Sequence, residues 1–347
     1  MRIFSYRNKR LLRRTLLIVL LAVLLIALLI AARISYLGRF AVYSPDGVYF
    51  DKTQKLERAD TSAPAASDEE YPFETLFPDT SEDDGVDPNA VQLHGYYIST
   101  TMLADSVDAV RQALDSADDY NAVLIDVKSP LGNFYYSTDI EDAQTADADI
   151  SACDALIEAL TARQDLVVIA RVPTFSDPNF VSKHYSAALT TRAGELWMDE
   201  RRCYWLRPDS IDAQSYLAAI ALELDARGFD EVLFDNFYVP DDTSIVWDEE
   251  AMTKLAALED CAQNLQDNLV GSAIHLALGT EAASVAQYAS RVFITTERAN
   301  DVMSATETLG EVLKDPSTQL VFVTTSHDTR FDASGVIRPL LGGDNAD

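Results

Sequence analysis

Apolar residues follow three different patterns along this chain, and each predicts a different kind of structure. From Thr15 to Ala32 (TLLIVLLAVLLIALLIAA) eighteen consecutive residues carry no charge. At about 1.5 Å per residue a helix of that length spans roughly 27 Å, close to the hydrocarbon core of a bilayer. A helix buried in a globular core keeps a polar face, and this run has none. A signal peptide has a shorter apolar stretch and a small-residue cleavage site, whereas this run ends Ala31-Ala32-Arg33. The expectation is one uncleaved transmembrane helix over 15–32.

The second pattern covers 33–90 and is poor in apolar residues. Asp51 to Ala90 holds twelve Asp or Glu, with Pro64, Pro72, Pro78 and Pro88 spread through it. Such a composition buries too little apolar surface to offset the entropy of ordering, so it predicts a flexible acidic tether. Only Tyr71 to Phe77 (YPFETLF) interrupts it.

From Val91 to the end, at 347, short apolar runs alternate with amphipathic stretches. Strands are predicted at 94–99, 122–128, 166–172, 231–235, 273–279, 291–297 and 319–325. Helical periodicity falls near 104–118, 151–163, 211–227, 248–270, 281–290 and 301–314. Ser151 reads as the N-cap of the second of these, and Gly228 as the stop of the third. Repeated β/α alternation predicts a parallel sheet, closed as a barrel or open and doubly wound. No Gly-rich nucleotide loop follows the first strand, which argues against the nucleotide-binding form. For an eighth strand only Ser334 to Leu341 is available. The α/β fold class expected is thus a (β/α)8-type TIM barrel, incomplete or degenerate in its C-terminal half, preceded by one transmembrane helix.

Charge adds a direction to this plan. Arg2, Arg7, Lys9, Arg10, Arg13 and Arg14 precede the apolar run. Positive flanks stay cytoplasmic, so 1–14 is expected in the cytoplasm and the barrel domain outside the cytoplasm. The first forty residues hold eight basic groups and no acidic one, leaving 19 basic against 56 acidic on the remainder, a net of −37. That field disfavours nucleic acid, which is bound by neutralising phosphates with Lys and Arg. Cys153, Cys203 and Cys261 have no metal-ligand spacing and allow at most one disulfide. Neither a nucleophile-elbow G-x-S-x-G nor an H-E-x-x-H is present.

Two-residue strand periodicity places side chains. In AVLIDVK, Val123, Ile125 and Val127 suit the helix side, leaving Leu124, Asp126 and Lys128 inward. The same parity puts Ile169 and Arg171 of LVVIARV inward, and Leu233 and Asp235 of EVLFD. Three consecutive strands therefore deliver ionisable groups to the C-terminal rim, where barrel enzymes work.

These segments also carry a resemblance. GFDEVLFDNFYVP (228–240) is similar to the motif G-F-D-E-[IV]-x-F-D-Y-x-R-[FY]-P of the Putative glycosyl hydrolase domain family. NAVLIDVKSPLGNFYY (121–136), IARVPTFSD (169–177), Trp197-Met198-Asp199 with Trp205 and Pro208, and Tyr216 with Glu223 match further family segments in order. Asn236 stands where the family has Tyr, and Tyr238 where it has Arg.

The resemblance implies a glycosidase-like barrel working through two carboxyl groups, with a carbohydrate partner and no cofactor. Asp235 is the first choice for nucleophile or base. Asp126 is its partner carboxylate or a hydroxyl ligand, and Glu297, ending the sixth strand, is the candidate acid. Lys128 and Arg171 would hold a carboxylate ionised. Tyr97, Trp197, Trp205 and Asn236 complete the expected sugar contacts. A barrel that binds glycan or a surface protein without hydrolysis is the alternative.

Overall fold

The computed structural model describes residues 41–44, 47–50 and 91–341. The expected membrane span and most of the expected tether lie outside these residues. Among the described residues no helix is long and apolar enough to cross a membrane. Inside the segment read as tether, Ala41–Ser44 pairs antiparallel with Gly47–Phe50, Ala41 facing Phe50. The intervening Pro45 and Asp46, with Gly47, have turn composition, a short-range signal that the acidic bias of the segment conceals. This hairpin belongs to a unit ending at Thr80, and the remaining elements to one beginning at Ser81.

The second unit is a closed parallel barrel of eight strands. They are β1 His94–Ile98, β2 Ala122–Asp126, β3 Val167–Pro173, β4 Glu231–Asp235, β5 His275–Leu278, β6 Arg291–Thr295, β7 Leu320–Val323 and β8 Gly335–Pro339. Each pairs with the next, and β8 pairs with β1 to complete the ring. The open doubly wound alternative is excluded, and the C-terminal half is complete. Only Val336 and Ile337 in β8 carry a clear apolar signal. The strand is held instead by both neighbours: Val336 N–H donates to Leu93 O (2.8 Å), Leu340 N–H to Tyr97 O (3.0 Å), and Ile337 O accepts from Thr324 N–H (3.1 Å).

Alternation along the strands sorts the core into two layers. Leu124, Ile169, Leu233, Ala277, Phe293 and Ile337 pack together inside the barrel. Val123, Ile125, Val168, Ala170, Val232 and Phe234 belong to the layer under the helices. The flanking helices include α1 Val107–Ser116, α2 Ile150–Thr161, α3 Pro178–Lys183, α4 Ile211–Ala226, α5 Lys254–Asn268 and α6 Ala299–Leu309. α2 is capped by Asp149, whose Oδ1 accepts from Ala152 N–H at 3.0 Å, rather than by Ser151. Gly228 stops α4 with φ +83°, a conformation that costs glycine little. The three cysteines are buried and unpaired, so no disulfide forms.

Candidate functional site

β2 and β3 run in a register that sets Asp126 opposite Arg171, and the next pair sets Pro173 opposite Asp235. All three charged groups therefore reach the C-terminal mouth together. Arg171 grips Asp126 with both edges of its fork, Nε to Oδ1 at 2.5 Å and Nη2 to Oδ2 at 2.9 Å. Its remaining nitrogen, Nη1, stands 3.9 Å from Asp235 Oδ2. The guanidinium lies over the Tyr97 ring, 4.6 Å from its centre. Burial alone would weaken the Arg171 charge, but Asp126, Asp235 and Tyr97 reinforce it.

Asp235 is bound more sparsely. Its Oδ1 accepts the Asn236 N–H at 2.9 Å, and Asn236 Nδ2 approaches Oδ2 at 3.4 Å. Its backbone carbonyl is pinned by Thr174, through N–H at 3.0 Å and Oγ1 at 2.6 Å. Behind it runs Gly279, where an added Cβ would stand 2.6 Å from Asp235 Oδ1. Burial raises the Asp235 carboxyl above the usual carboxylate range; Arg171 and the Asn236 N–H pull it down, and Asp126 pushes it up. Its side chain is 22% exposed, so it remains accessible.

Lys128 does not join this group. β2 ends at Asp126, and beyond it Lys128 bridges to Phe134, so strand parity no longer applies. Its ammonium is fully buried 2.9 Å from Asp177 Oδ2, which also accepts from Tyr216 OH at 2.8 Å. Asp177 Oδ1 in turn caps α3 by accepting from Phe180 N–H at 2.8 Å. Lys128 thus anchors the loop after β3 instead of contacting substrate. Other family-motif residues are also structural. Glu223 accepts from Tyr136 OH, Thr138 Oγ1 and Asp139 N–H. Asp230 ties β4 to Val168 N–H at 2.7 Å, and Glu231 is buried in an ion pair with Arg291.

Glu297 sits on the β6 side of the crown and takes hydrogen bonds from Thr325 Oγ1 (2.6 Å), Thr325 N–H (3.1 Å) and Thr324 Oγ1 (3.3 Å). Burial pushes this carboxyl up, but the two threonines outweigh it and hold it below the usual range. That is opposite to what a proton-donating acid requires. Trp197 and Trp205 are largely buried, their indole N–H groups spent on Asp242 Oδ2 and Asp199 Oδ2, both at 3.0 Å. They form a wall rather than an open stacking face.

Two cavities open here. One of about 340 Å³ is lined by Asp235, Gly279 and Glu281 among others. The other, about 510 Å³, is lined by Thr174, Ser176, Trp197, Asp199 and Trp205. Asn236 and Tyr238 line both. Glu281 and Tyr238 are the residues of these walls that sequence reasoning did not single out. Glu281 lies three residues past the end of β5, a position the barrel plan marks as a rim site, and Tyr238 is one of the two departures from the family motif. Among the described residues no cluster of His, Cys, Asp or Glu is arranged to hold a metal ion.

The model of the family described as Putative glycosyl hydrolase domain matches residues 95–301. No curated protein matches the sequence. Solved structures of similar fold include a hypothetical protein from Ruminiclostridium thermocellum (22% identity, 52% of this chain and 96% of that one, TM-score 0.45). Others are Ega3 of Aspergillus fumigatus in complex with galactosamine (12%, 72% and 92%, TM-score 0.47) and the α-galactosidase of Thermus thermophilus in complex with p-nitrophenyl α-D-galactopyranoside (13%, 71% and 57%, TM-score 0.48).

Proposed function

The chain belongs to the Putative glycosyl hydrolase domain family, and on that premise we propose that its barrel cleaves a glycan at the mouth, with Asp235 as the reactive carboxyl. The observation that carries this reading is the contrast between two neighbouring carboxyls. Asp126 has both oxygens committed to Arg171. Asp235 is lifted toward its protonated form, remains accessible and faces a cavity. Glycoside hydrolysis needs one carboxyl that exchanges a proton and a second that stays ionised. A raised carboxyl suits the first task. Glu281, which lines the same cavity, is assigned the second. Arg171 then serves as a fixed positive charge, oriented by Asp126 and Tyr97, that limits how far Asp235 is raised.

Release of reducing ends from a panel of neutral and amino-sugar polysaccharides tests this directly. Asp235→Asn and Glu281→Gln should each abolish release, by at least about a hundredfold for a residue carrying acid–base catalysis. Wild-type activity that survives Asp235→Asn overturns the assignment. A second reading, glycan binding without hydrolysis, is favoured by Glu297, which occupies the sixth-strand position but is held ionised. Retention of glycans with no reducing ends released by the wild-type protein would select it.

The setting we propose is the outer surface of a membrane, with 15–32 as anchor and 33–90 as linker. The uncharged run and the basic residues before it support this placement.

A further inference from the structure

We infer that the two cavities at the mouth are one cleft for a glycan of at least two sugar residues, and that Tyr238 is the platform on which the chain crosses from one to the other. This rests on the glycan reading above and specifies the ligand's length and the residue that reads it. The observation behind it is how firmly the segment after β4 is held. Asn236 adopts φ +56°, in the left-handed region, and its carbonyl accepts the Tyr238 N–H at 2.9 Å. Phe237, between them, is fully buried, with its ring 5.2 Å from that of Phe175 and its N–H on Gly279 O at 2.9 Å. With Phe237 turned inward, Tyr238 is carried outward onto the wall common to both cavities.

The residue is 47% exposed, and its ring rests 5.4 Å from that of Trp205 at 57°. Trp205 is itself fixed by Asp199, and Trp197 by Asp242. A partly exposed aromatic on a locked base offers an apolar face to the C–H side of a sugar ring. Each cavity is comparable to a small-molecule site of roughly 300–1,000 Å³, so each admits a sugar ring. A chain engaged at Asp235 reaches the second cavity by passing over Tyr238. A single terminal sugar would fill the Asp235 cavity and leave the larger one unused. The family's Arg at this position would present a charge; Tyr238 presents a neutral surface instead, which favours uncharged sugar faces.

An immobilised series of neutral hexose and hexosamine glycans, from one to six residues, tests the inference. It is probed with the detergent-solubilised full chain and its Tyr238→Ala, Tyr238→Trp and Asp235→Asn variants, each checked for a melting temperature no lower than that of the wild type. The wild-type protein should retain glycans of two or more residues and not monosaccharides. Tyr238→Ala should weaken retention of the longer glycans by roughly tenfold, Tyr238→Trp should restore it, and Asp235→Asn should keep the length preference. Equal retention of one-residue and longer glycans, or a length preference unchanged in Tyr238→Ala, overturns the inference and leaves the glycan reading standing. No retention of any glycan by the wild-type protein overturns both. Should Tyr238→Ala fail to fold, competition of monosaccharide against tetrasaccharide on the wild-type protein decides alone, equal affinity being the overturning result.

Discussion

Asp126 and Asp235 meet the same guanidinium, yet their surroundings divide the work between them. Asp126 is the counter-ion that aims Arg171, while Asp235 is left with one backbone N–H, a long contact to Asn236 Nδ2 and a distant Nη1. A carboxyl whose folded pKa lies above its unfolded one binds protons more readily in the folded state. It therefore stabilises the fold at low pH, and that contribution is lost as pH rises through the raised value. Asp235→Asn removes the penalty of burying the charge. Its melting temperature should match wild type well below about pH 4, where the Asp235 carboxyl is protonated in both states, and exceed it at neutral pH. Calorimetry across that range checks this, and a variant less stable at pH 7 would make Asp235 a structural partner of Arg171. Gly279 acts on the same carboxyl through space. Its missing Cβ would lie 2.6 Å from Asp235 Oδ1 and 3.0 Å from Asp235 Cα. Gly279→Ala should displace the carboxyl and abolish turnover, at an overpacking cost of about 1–3 kcal/mol measured by urea denaturation.

Among the elements, the loop after β3 is held by buried groups that line neither cavity at the mouth. Lys128, Asp177 and Tyr216 come from the end of β2, the cap of α3 and the body of α4, and they meet where no water reaches. Their contact holds Thr174 and Ser176, which line the larger cavity, and Thr174 in turn pins the Asp235 carbonyl. Lys128→Met would leave Asp177 buried without its cation. The expected loss is about 3–5 kcal/mol of folding stability, read from the shift of a urea unfolding midpoint. A shift below about 1 kcal/mol would mean that hydrogen bonds from Tyr216 and Phe180 suffice to hold Asp177.

For the molecule as a whole, charge and hydrophobicity are segregated along the chain. Basic residues gather before the apolar run, and a net of −37 follows in the remaining 307 residues. An acidic surface keeps such a domain soluble and apart from polyanions. The proposed topology predicts that protease added to intact or wall-stripped cells releases a soluble fragment cut within 33–90. That fragment, or a chain starting near Val91, should unfold cooperatively on heating, since the barrel carries its own closed core. Protection of the domain until the membrane is permeabilised would reverse the orientation.

Much of this molecule is legible along the chain because strands buried on both faces read as short apolar runs, and strand parity then leaves a record of which face each residue takes. Those runs located seven of the eight barrel strands and offered Ser334 to Leu341 as the eighth, and parity set Leu124, Ile169 and Leu233 inward. It also carried Asp126, Arg171 and Asp235 to one rim, since the parity of a strand persists to its last residue. Where strands stop, that record stops. Lys128, two residues past β2, turned into a buried ion pair, and Glu297, two past β6, was captured by threonines of the neighbouring loop. Tyr238 and Glu281 gained their places from turns whose geometry has no sequence period. Closure of the ring depends on β8 meeting β1 across more than two hundred residues, as in the pairing of Val336 with His94. A strand with so little apolar signal is stabilised by two finished neighbours, and those neighbours exist only once the rest of the barrel has folded.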